Sequence, residues 1–176
     1  MADISRAFID QSRRLLIDSY LPRIERAVEG MSTENLWWRA NPQSNSMANL
    51  ILHLNGNVRQ WIISGVGGET DVRKRQREFE AQAGADAPEL LRELRLTVEE
   101  ADRVLANVDP STLLEPRRIQ SYDVTVMRAV YAVVEHFSMH TGQIILLAKT
   151  FKGDLGFYDV SGGEPRPTWK RGTAGH

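Results

Sequence analysis

The sequence predicts an all-α chain folded as a four-helix bundle. Three observations lead there. Apolar residues recur every three or four positions through four long stretches. No sustained alternation of β-branched and polar residues competes with that period. Capping residues, glycines and prolines fall at the ends of those stretches.

The first helix is expected from about Asp3 to Val28, with Phe8, Leu15, Leu16, Ile24 and Val28 on its apolar side. Pro22 lacks a backbone donor and should bend or break it, and Gly30 should stop it. Ser32-Thr33-Glu34-Asn35 opens a short helical turn carrying Leu36, Trp37 and Trp38, closed by Asn41-Pro42. The second long helix begins after the capping residues Ser44-Asn45-Ser46 and runs to about Ser64. Its polar residues Asn49, His53, Asn57 and Gln60 recur at helical spacing, so they form a stripe that flanks the apolar face.

Glu69 to Asp86 is the most polar stretch, with Arg73-Lys74-Arg75 and Arg77 interleaved with Asp71, Glu78 and Glu80. It is expected to be a solvated connector containing some helix. Asp86-Ala87-Pro88-Glu89 starts the third helix, which should reach about Val108. Leu113 to Val124, which contains Pro116, leaves room for a short hairpin or an extended segment, and the fourth helix follows from Thr125 to about Phe151. Residues 152–176 form a non-helical tail whose Phe157, Tyr158 and Trp169 should pack on the bundle or on a partner subunit. The 176 residues suit one domain.

Composition narrows the function. The formal net charge of −1 gives no basic field for nucleic acid or an anionic membrane, and no apolar run approaches the ~20 residues of a membrane span. The absence of cysteine removes disulfides, thiolate ligands and a cysteine nucleophile, and fits a cytoplasmic protein. The N-terminus carries charges throughout and does not read as a signal peptide.

The chemistry concentrates in Glu135-His136-Phe137-Ser138-Met139-His140-Thr141-Gly142-Gln143. His136 and His140 are four apart, one helical turn and ~6 Å from each other on one face. His53, in the polar stripe of the second helix, is the remaining internal histidine. Two readings stand from spacing alone. The three imidazoles hold one divalent ion, Zn²⁺, Ni²⁺ or Fe²⁺, with open positions for water. Alternatively they are core histidines satisfied by hydrogen bonds. The pattern HExxH is excluded, because Phe137 stands where its glutamate would be. Glu135, Gln143, Asn57 and Gln60 are candidates for orienting a ligand or contacting substrate.

The blocks PQSNSMANLILHLNGNVRQWIISGVGG and AVYAVVEHFSMHTGQIILLAKTF resemble the DinB/YfiT-like family of metal-dependent enzymes. The resemblance implies a four-helix bundle of that type, with His53, His136 and His140 as ligands and Zn²⁺ or Ni²⁺ as usual occupant. Relatives include S-transferases that use bacillithiol, mycothiol or glutathione, and a mycothiol-dependent isomerase; many are homodimers. The expected function is therefore a metal-dependent transferase joining a low-molecular-weight thiol to an electrophilic small molecule. Metal-dependent hydrolysis is the second reading, and a stress-linked metal- or ligand-binding bundle without turnover is the third.

Overall fold

The computed structural model describes residues 3–169. The protein is mostly helical, as the periodicity predicts. Helix α1 (Ile4–Arg14) is capped by Asp3, whose carboxylate accepts from the Ser5 N–H. It continues through a widened, π-helical turn (Leu15–Tyr20) into α2 (Leu21–Val28). Pro22 sits in the first turn of α2. The expected break is thus a register change: the Leu21 N–H reaches back five residues to the Leu16 carbonyl. π-Helical geometry is rare in general and occurs mostly, as here, as a single widened turn inside a continuing helix.

Helix α3 (Thr33–Trp37) is capped by Ser32. Helix α4 (Met47–Val58) begins in a reciprocal box, in which Ser46 and Asn49 each satisfy the other's backbone N–H. It too passes into a π-helical turn (Arg59–Ser64). Helix α5 (Arg75–Glu80) lies in the polar connector, and α6 (Ala87–Ala106) is capped by Asp86. A 3₁₀ turn (Pro110–Thr112) leads to the hairpin β1 (Pro116–Ile119) and β2 (Tyr122–Thr125). Helix α7 (Val126–Lys152) is the longest, capped by Thr125 and stopped at Gly153. A two-residue pairing, β3 (Tyr158–Asp159) with β4 (Arg166–Pro167), ends the described chain.

One buried cluster joins the long helices, from Ile9, Leu16 and Ile24 through Leu54 and Ile62 to Leu94, Leu105, Val130, Phe137 and Ile144. Both the α1–α2 rod and α4 pack against α6 and α7, so helices consecutive in sequence are not simply neighbours in space. The long connections allow that order. Facing α4 to α7 is what brings His53 toward His136 and His140.

The tail from Gly153 to Trp169 lies against α2. Arg26 donates to the Leu155 carbonyl at 3.1 Å, and the Arg23 guanidinium stands 4.3 Å above the buried Trp169 ring. Phe157 and Tyr158 meet that ring edge-on. The remainder of the predicted tail, 170–176, lies outside the described residues. No helix among the described residues is long and apolar enough to cross a membrane.

Candidate metal centre

The polar stripe of α4 is explained by what covers it. Asn49 donates to the carbonyls of Glu78 and Ala81, both at 2.8 Å, and Arg39 donates to the carbonyls of Phe79 and Ala81 at 3.0 and 2.8 Å. These bonds satisfy backbone acceptors at the C-terminal end of α5, where a helix leaves them free. They pin α5 across α4 one turn from His53. Gly56 makes the approach possible: a Cβ there would collide with Glu78 Oε1 and lie 2.8 Å from Arg73 Nε.

Glu78 thereby reaches His53. Its Oε2 lies 2.9 Å from His53 Nδ1, while Arg73 grips both carboxylate oxygens, Nε to Oε1 at 2.7 Å and Nη2 to Oε2 at 2.8 Å. The Arg73 and Glu78 side chains are only 4% and 11% exposed. The connector is therefore not solvated throughout, as its composition suggests; at these two residues it is part of the interior. Burial alone would raise the Glu78 carboxyl, but the Arg73 and His53 hydrogen bonds outweigh it and hold the group below its ordinary value.

A carboxylate only accepts, so His53 Nδ1 carries the hydrogen and Nε2 keeps its lone pair. Arg73 Nη2, 3.1 Å from Nδ1, has other acceptors for its two hydrogens, Glu78 Oε2 at 2.8 Å and the His53 carbonyl at 3.4 Å. His53 Nε2 points at His136 Nε2, 2.8 Å away. On His140, Nδ1 donates to Gln143 Oε1 at 2.6 Å, which leaves Nε2 as the acceptor. That Nε2 is buried and has no hydrogen-bond partner among the described residues. One ligand nitrogen from each of the three histidines lies within 4.8 Å of the others, so the three could hold a metal ion.

The residues fit such an ion on three counts. An orphaned lone pair inside a protein is costly, and an ion is a partner for it. Glu78 and Gln143 fix the tautomers that expose Nε2, as carboxylates and amides behind metal-bound histidines do. The two imidazoles of α7 are also biased toward the neutral form, the form that binds metal. Burial, with His140, His53, Arg73 and Arg75 adding to it, lowers His136 to about 4. Burial likewise lowers His140, against an opposing pull from the Gln143 bond.

The other sequence candidates divide. Gln143 orients His140. Asn57 lines a cleft beside His53 and His136. Gln60 accepts from Arg73 Nη1 at 2.9 Å and donates to Asp71 at 2.6 Å. Glu135 is on the exposed side of α7 and makes no hydrogen bond to the cluster among the described residues. Sequence reasoning missed Arg73, Glu78, Arg39 and Gly56. The signal that pointed to them was the stripe itself, since four polar positions beside an apolar face require a polar cover.

Fold and site together define the class: a mostly helical protein with a buried three-histidine cluster able to hold a metal ion. The chain belongs to the family described as protein of unknown function DUF1572, which matches residues 3–158 and is DinB-like. No curated protein matches it.

Proposed function

We propose that the protein is a metal-dependent enzyme on a DinB-type four-helix bundle, with a divalent ion, Zn²⁺ or Ni²⁺, on His53, His136 and His140. It transfers a low-molecular-weight thiol to an electrophilic small molecule. The observation that carries the metal site is the buried, partnerless Nε2 of His140, set beside two imidazoles whose Nε2 atoms meet at 2.8 Å. The reaction class is suggested by the resemblance of the two histidine-bearing blocks to the DinB/YfiT-like S-transferases.

When bound, the ion would lower the pKa of a coordinated thiol or water into the neutral range. The chain's own residues do the rest. Glu78 and Gln143 hold two imidazoles in the ligating tautomer. Arg73 keeps Glu78 ionised at neutral pH, so the His53 Nδ1 proton stays in place. Burial between α4 and α7 favours the unprotonated form of His136 and His140, and the cleft beside His136 admits a small molecule. In the same reading the protein works as a homodimer, for which the exposed Tyr131, Met139 and Leu146 on α7 offer an apolar face.

The test is conjugation of several small thiols to 1-chloro-2,4-dinitrobenzene by metal-loaded protein and by His140→Ala. Thiol-dependent turnover lost in the variant is expected. Equal rates for the two proteins would overturn the proposal, and hydrolysis without thiol would replace transferase by hydrolase.

A further inference from the structure

The cleft next to the histidines has a chemistry of its own. It is small, about 230 Å³, and is lined by His53 and His136, by Asn57 and Trp61 from the second long helix, and by Arg73, Arg75 and Gln120. Among the described residues no carboxylate lines it. The two arginines differ in what they have left to give. Arg73 spends its guanidinium on Glu78 and Gln60. Arg75 is exposed, leans on the Phe79 ring with its guanidinium carbon 4.8 Å from the ring centre, and meets no carboxylate among the described residues.

The remaining walls are also shaped for a ligand. Asn57 Oδ1 is buried without a hydrogen-bond partner among the described residues, and as an acceptor it calls for a donor group on the ligand, away from the carboxylate. Trp61 presents a flat apolar surface and is braced from outside by Tyr122, with ring centres 6.5 Å apart. The hairpin turn puts Gln120 over the cleft, bonded to Gln60, at the expense of its backbone: Gln120 and Ser121 have φ of 49° and 67°. Such a two-residue turn requires positive φ at both positions and is usually made with asparagine and glycine. Strained backbone of this kind tends to be kept where it places a side chain for use.

We infer that this cleft receives a small carboxylate-bearing ligand, anchored by the Arg75 guanidinium and lying along Trp61 with its far end toward His136. An uncompensated guanidinium at the mouth of a cleft without acids selects for an anion, and its planar fork matches a carboxylate. The far end meets whatever the histidines hold, so this part alone rests on the proposed metal centre. Applied to that function, the thiol partner is one that carries a carboxylate.

The test uses 3-mercaptopropionate against its neutral counterpart 3-mercapto-1-propanol. Each is titrated into the full chain, with and without zinc, while NMR follows the Trp61 indole N–H and the Arg75 Nε–H. Metal content is measured on the same samples. The acid should bind at least tenfold more tightly than the alcohol and shift both signals. Arg75→Gln, a surface change that leaves the core untouched, should remove that preference, and Arg75→Lys should restore part of it. Equal binding of acid and alcohol, no binding of either, or an acid preference untouched by Arg75→Gln would each overturn the inference. A protein that takes up no zinc but keeps the Arg75-dependent preference would remove the metal reading and leave this one standing. Zinc uptake with equal binding would do the reverse.

Discussion

Glu78 Oε2 lies 2.9 Å from His53 Nδ1, although the two residues are 25 positions apart in the chain. The carboxylate fixes which nitrogen of His53 faces the cluster and makes it more basic. Partners of this kind contribute about 10–100-fold to metal affinity. Glu78→Gln keeps the shape and loses the charge. It should weaken zinc binding by about that factor, measured by competition with a chelator of known affinity. An unchanged affinity would mean that Glu78 serves only the ion pair with Arg73.

The same relationship depends on a position with no side chain. Gly56 lies under the Arg73–Glu78 pair, and a methyl group there would collide with Glu78 Oε1. Alanine is the better helix former, by about 1 kcal/mol in an ordinary helix interior. Gly56→Ala should nevertheless lower stability, because the pair must move off His53. It should also weaken zinc binding in the manner of Glu78→Gln. Thermal unfolding and zinc competition on the same variant check both halves; a variant that gains stability and keeps its affinity would show that α5 does not need this close approach.

The histidines and the helices were legible because each leaves a local mark. The 3.6-residue period placed four long helices within a few residues of where they lie, and the i, i+4 spacing put His136 and His140 on one face. The stripe Asn49, His53, Asn57, Gln60 was visible as a stripe. Its cover was not, because Arg73 and Glu78 differ from Arg77 and Glu80 only in where α5 lies. That placement is set by Arg39 and Asn49 capping distant carbonyls, contacts 29 to 42 residues apart in sequence. Pro22 shows another limit: proline predicts a disturbed helix but not whether the chain breaks or widens by one residue.

Acid should destabilise the metal-free protein in a defined window. The folded pKa of His136, about 4, is below its ordinary value of 6.5. Between those values the unfolded chain binds a proton that the folded one refuses. Stability is therefore full above pH 6.5 and falls as the pH drops toward 4. Glu78, whose carboxyl is also held low, adds a further loss below its ordinary value of 4.5, in the same direction. With chelator present, the melting temperature should decline through this window, and His136→Phe should flatten the upper part of the decline. The His136 ring protons should show an NMR midpoint near 4; a midpoint near 6.5 would mean that the imidazole is solvated.

His140 separates a ligand from a core histidine most sharply. In the metal-free protein its Nε2 is buried and unpaired, a state that costs about 1–3 kcal/mol. Its Nδ1 bond goes to Gln143, an exposed residue whose amide water can satisfy instead. Replacing His140 by leucine removes the orphan and forfeits only a replaceable bond. The metal-free variant His140→Leu should therefore melt no lower than the metal-free native protein. Metal changes the comparison. Zinc at a thousand times its dissociation constant stabilises a folded protein by about 4 kcal/mol. At ~2–4 °C per kcal/mol for a chain of this size, the native protein should gain on the order of 10 °C. The leucine variant should lose most of that gain. Calorimetry on both proteins, with zinc and with chelator, gives the four melting temperatures needed. A leucine variant that melts several degrees lower without metal, beside a native protein indifferent to zinc, would make His140 a packing residue and remove the metal centre from the reading of the site.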